Sequence, residues 1–120
     1  MRFVVCLLLT WLLVGVHLAK AGDCVLTGAP AILDSKSVEW TMEIASGQSC
    51  LRGLRSRAMT LESVVVSTPA KFGEATVQGY GFSYRAPRDF KGEDSFSVTM
   101  SGANRGVHGS SIIRVSVSVR

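Results

Sequence analysis

Residues 79–101, GYGFSYRAPRDFKGEDSFSVTMS, decide the fold. In this stretch Tyr80, Phe82, Tyr84 and Ala86 alternate with Gly81, Ser83 and Arg85, so a pleated strand places the rings on one face and the polar groups on the other. Phe96, Val98 and Met100 alternate in the same way with Ser95, Ser97 and Thr99. Pro87 has no backbone N–H to continue a central ladder, and Asp89 and Gly92 supply turn chemistry. Two half-buried strands joined by a reversal follow.

Downstream, Ile113, Val115, Val117 and Val119 alternate with Arg114, Ser116 and Ser118, a β-branched density at odds with a helix. Gly102, Gly106 and Gly109 predict a flexible loop over 102–111. Upstream, Val38, Trp40, Met42 and Ile44 alternate with Glu39, Thr41 and Glu43, which puts Trp40 in the core with one partner for its indole N–H. Cys24 to Thr27 reads as a short first strand ended by Gly28 and Pro30. Residues 59–67 contain three consecutive valines, Val64, Val65 and Val66, which predict a central strand with two covered faces. Thr68-Pro69 opens a turn that Gly73 helps close, and Glu74 to Gln78 forms another short strand. About seven short antiparallel strands with no sustained amphipathic helix predict an all-β sandwich.

Gly73, Tyr84, Pro87, Phe90, Gly92, the triplet Asp94-Ser95-Phe96 and the closing run Val115 to Val119 fall in an order that resembles the C-terminal half of bacterial Ig-like and cadherin-like domains, over residues 68–119. The resemblance implies an Ig-like β-sandwich used for adhesion or scaffolding, and it implies no enzymatic activity. Where such domains often carry an acidic Asp-Gly turn after this strand, Ser101 to Gly106 has no carboxylate, which weakens a calcium reading carried over from cadherins.

At the N-terminus, Met1-Arg2, the apolar run Phe3 to Leu18 and Ala19-Lys20-Ala21 have the three parts of a secretory signal peptide spanning 1–21. A membrane anchor is the competing reading, but the run is short and is interrupted by Thr10, Gly15 and His17. Asp23 before Cys24 does not fit a lipidation site, and Cys6 leaves with the signal. Residues 22–120 then form one domain, exported to the periplasm or the cell exterior, where Cys24 and Cys50 pair by default. The whole chain carries a net charge of +4, but without Arg2 and Lys20 there remain 11 basic against 9 acidic residues, about +2. That balance argues against a nucleic-acid partner.

The most unusual local feature is Arg52, Arg55 and Arg57 around Gly53 and Leu54. The plain reading is a solvated loop whose guanidinium groups pair with Glu39 or Glu43. The functional one is an anion-recognising patch, because the guanidinium fork matches carboxylates and phosphates. Asp89, Glu93 and Asp94 could be a turn, a calcium site or an acid/base pair, and Asp94 is expected to hydrogen-bond turn backbone. His108, the only histidine after residue 21, lacks the partners of a nucleophilic triad, and two cysteines do not close a zinc site. The sequence therefore predicts a non-catalytic binding module without a cofactor, with a protein or cell-envelope polymer as partner and the arginine loop as the contact. The alternative is a structural or adhesive module that self-associates through an exposed edge strand, with the C-terminal strand as that edge.

Overall fold

The structure, a computed structural model, describes residues 24–120. The expected signal peptide over 1–21, with Cys6, falls outside the described residues. Eight strands form in chain order: β1 (Cys24–Gly28), β2 (Ser37–Ile44), β3 (Ser49–Gly53), β4 (Met59–Thr68), β5 (Glu74–Gln78), β6 (Gly81–Arg85), β7 (Gly92–Asn104) and β8 (Val107–Val119). They make an all-β sandwich of a five-stranded sheet, ordered β1-β2-β8-β7-β4, and a three-stranded sheet, ordered β3-β6-β5. The architecture is compatible with an Ig-like domain.

The alternation read from the sequence places the core. Trp40, Met42 and Ile44 of β2, Phe96, Val98 and Met100 of β7, and Ile113, Val115, Val117 and Val119 of β8 are all buried, and they face Phe82 and Tyr84 of β6. Phe96 is the centre of an aromatic cluster, edge-on to Phe82 at 5.5 Å and stacked with Tyr84 at 5.4 Å between ring centroids. Each such ring, fully buried, stabilises the sandwich by about 1.5–3 kcal/mol. The Trp40 indole N–H donates to the Ala29 carbonyl at 2.6 Å. The Cys24–Cys50 disulfide joins β1 to β3, and so ties one sheet to the other.

Five features depart from the sequence reading. The eight strands agree with the expected seven or so, but one pair, β2 with β8, is parallel rather than antiparallel. The C-terminal strand β8 is no edge: β2 pairs along one side of it and β7 along the other. The expectation that the C-terminal strand is the exposed edge is thus corrected: its backbone groups are already in ladders, and β8 offers no free edge to another chain.

The valine-rich strand β4 is itself an edge, with Val65 half-exposed. Its pattern is broken by a register shift between Leu61 and Ser63, which lets Leu61 and Val64, three positions apart, both point inward. Residues 102–111 are not a loop but the end of the β7–β8 hairpin, which turns on Arg105 and Gly106 alone, both at positive φ. Gly102 and Gly109 pair across that hairpin, and each is small because a neighbouring backbone passes over it: a Cβ would sit 2.1 Å from the Thr60 or the Leu33 carbonyl oxygen, respectively. Tyr80, finally, precedes β6 in an exposed turn and does not share the inward face of Phe82 and Tyr84.

Candidate functional site

Asp94 occupies the position two before Phe96, so the strand alternation drives its side chain into the core. It is 7% exposed. Its carboxylate accepts hydrogen bonds from the backbone N–H groups of Lys71 (2.9 Å), Phe72 (3.3 Å), Gly73 (2.8 Å) and Ser95 (2.9 Å), and from the Tyr84 hydroxyl (2.8 Å). Burial, the largest influence, would raise this carboxyl, but the donors from Gly73, Tyr84, Lys71 and Ser95 outweigh it and hold the group below its ordinary value. Tyr84 is pushed the other way, above its ordinary range, first by burial and then by its hydrogen bond to Asp94 and the nearby negative charge. The expectation that Asp94 binds turn backbone holds, although the turn is the β4–β5 connection and not its own. Asp94 thereby fixes the position of Lys71 and Phe72.

The three carboxylates grouped in the sequence do not converge. Asp94 points inward, Glu93 outward, and Asp89 lies exposed in the β6–β7 turn at φ 58°. Among the described residues no group of three His, Cys, Asp or Glu side chains is placed to hold a metal ion.

Of the three arginines, Arg52 lies on β3 and Arg55 and Arg57 in the loop that follows. The Arg52 guanidinium sits 5.7 Å from the centroid of the Trp40 ring, and that of Arg55 sits 4.4 Å from the centroid of Tyr80. Arg52, Arg55, Leu51, Gln78 and Tyr80 line one shallow depression of about 390 Å³. Arg57 is exposed and does not line it. The carboxylates that the sequence offered as partners are used elsewhere: Glu39 faces Arg114 at 3.5 Å and Glu43 binds Arg120 at 2.6 Å, both across the β2–β8 pairing. Among the described residues none of the three arginines forms an ion pair. Tyr80, which the sequence assigned to the core, is thus the aromatic support of this patch. Arg85 and Arg88 flank a separate hollow at the far end of β6 and do not extend it.

A larger groove, about 880 Å³, runs over the outer face of the five-stranded sheet. Its floor is a row of hydroxyls in register, Thr27, Thr41, Ser116 and Ser95, and its wall is Lys71 and Phe72. Sequence reasoning missed it because Phe72 lies in a turn with no periodicity. His108 is exposed near the hairpin tip, with its Nδ1 3.5 Å from a Glu62 carboxylate oxygen.

No helix among the described residues is long and apolar enough to cross a membrane. Compared with known proteins, the chain matches no family model and no curated protein.

Proposed function

We propose that the chain is an exported, non-catalytic binding module of the bacterial Ig-like or cadherin-like kind, which recognises an anionic group on a protein or a cell-envelope polymer through Arg52 and Arg55, with Arg57 nearby. The observation that carries this reading is the Arg55–Tyr80 stack beside Arg52: two guanidinium groups lie over aromatic rings, without carboxylate partners among the described residues. Stacking limits side-chain freedom and leaves the N–H fork without a carboxylate partner among the described residues, so less entropy is lost when an anion is bound. Exposed Leu51 beside them adds an apolar contact of the kind that interfaces use. The inter-sheet disulfide supports an oxidising destination, the periplasm or the cell exterior.

The test is retention of the disulfide-intact protein on beads carrying carboxylated or sulfated polymer across a salt series. Retention is expected to fall with salt, and the double change Arg55→Ser with Arg57→Ser is expected to weaken it about tenfold with no loss of folding. Arg52→Lys serves as the third variant, because it keeps charge near Trp40 while removing the fork. Retention that ignores both salt and these substitutions overturns the assignment.

A further inference from the structure

On a face of the sandwich distinct from the arginine patch, we propose a second site: the groove over β1, β2, β8 and β7 binds a neutral polysaccharide chain. Its floor carries two rows of polar side chains. One is Thr27, Thr41, Ser116 and Ser95; the other places Glu43, Ser118 and Glu93 side by side on β2, β8 and β7. Hydroxyls donate and accept at once, and carboxylates accept from pairs of neighbouring hydroxyls, so this floor matches the equatorial edge of a sugar ring.

The wall supplies the complementary half. The Phe72 ring is half-exposed and stacks on Phe90 at 4.8 Å, a firm apolar surface for the C–H face of a pyranose. It is built in place, because the buried Asp94 carboxylate grips the backbone N–H groups of Lys71, Phe72 and Gly73. Lys71 Nζ stands 5.5 Å from the Phe72 centroid on a flexible stem, which yields when a sugar seats.

Charge selects among polymers. Three carboxylates line the groove, Glu43, Glu93 and the inward Asp94, against Lys71 within it and Arg120, which binds Glu43 at 2.6 Å, so the lining is net negative by one charge. Such a lining gives a polyanion no net attraction and leaves hydroxyl-rich, uncharged chains as the matching ligand. The volume falls in the range of sites that hold a small organic ligand, about 300–1000 Å³.

The test is affinity electrophoresis of the disulfide-intact protein through gels containing mixed-linkage β-glucan, galactomannan or arabinoxylan, followed by titration of amide NMR shifts with the polysaccharide that retards it. Expected results are retardation by at least one of the three, with shifts centred on Thr41, Phe72, Ser95 and Ser116. Phe72→Leu, which keeps apolar packing on Phe90 but removes the ring, should raise the apparent dissociation constant about tenfold. Thr41→Val, equal in shape but without the hydroxyl, should weaken binding while leaving the melting curve in place. No retardation in any of the gels overturns the proposal. So does binding indifferent to both substitutions, or a shift pattern centred on Arg55 and Tyr80, which would place the glycan at the arginine patch instead.

Discussion

Replacing Asp94 with Asn changes one oxygen to an amino group and removes one charge, yet it should destabilise the fold by a large fraction of its total stability. One carboxylate oxygen accepts from Lys71 and Ser95, and the other from Phe72, Gly73 and Tyr84. In either amide orientation, the amino group faces at least two N–H donors inside a site that water scarcely reaches. Hydrogen bonds to a charged group are worth about 1.5–3 kcal/mol each, and a stranded buried donor costs about 1–3 kcal/mol. Because the donors can relax together, the sum is not additive, and about 3–5 kcal/mol is the expected loss, set against the roughly 5–15 kcal/mol typical of a domain. Tyr84→Phe removes only one of the five donors and should cost about 1–2 kcal/mol.

The assay is urea unfolding at pH 7 and again at steps down to pH 2. The carboxyl is held below its ordinary value in the folded state, so its contribution is fully present above the unfolded-state value of about 3.9. It is lost as pH falls through the lower folded value, and Asp94→Asn should flatten that part of the profile. Tyr84 gives the opposite sign: its folded value is raised, so its contribution is complete below about pH 10 and declines as pH climbs beyond it. An Asn variant within about 1 kcal/mol of the parent, or an acid limb unchanged by the substitution, would refute this account of the carboxylate.

Two further outcomes follow from the frame. Changing Cys24 and Cys50 together to Ser, which opens a bridge spanning 26 positions, should lower unfolding free energy by about 3.5 kcal/mol on the chain-entropy account, read as the shift in urea midpoint. Gly109→Ala should destabilise the distal hairpin and release the β1–β2 connection, because the new methyl would meet the Leu33 carbonyl oxygen at 2.1 Å; faster amide exchange at Leu33 and Ser35 would report it.

Much of the fold can be read from local pattern. The alternations in β2, β6, β7 and β8 name the buried face of each strand, and the two cysteines left after residue 21 mark the bridge between sheets. Position within a sheet is less accessible, because a strand with one buried face alternates alike at an edge and in the middle. That is why β8 reads as an edge and is central. Three valines in a row look like a strand covered on both sides, whereas in β4 a bulge has reversed the facing partway along.

The buried polar residues had a usable signal. Asp94 and Ser111 each continue an inward series by one step, ahead of Phe96 and Ile113, and each is satisfied by backbone far away in sequence: Asp94 by Lys71 to Gly73, and Ser111 by the Leu33 N–H, which its hydroxyl accepts at 2.9 Å. The aromatic supports of the two proposed binding surfaces, Tyr80 and Phe72, had none. Each lies in a turn, where period two gives no facing.

The parallel pairing of β2 with β8 also sets a timetable. It joins residues such as Glu39 and Arg114, 75 positions apart, while β2 gains only the five-residue β1 as its other neighbour. A ribosome delivers β2 long before β8, and in that interval Trp40, Met42 and Ile44 have half a sheet to join. Closure over so long a span is entropically slow, so the chain should remain pliable through most of its synthesis and acquire its two-sheet form late, in a single cooperative step. A polypeptide that stays open until its last long strand emerges is well suited to being threaded through a narrow passage before it folds.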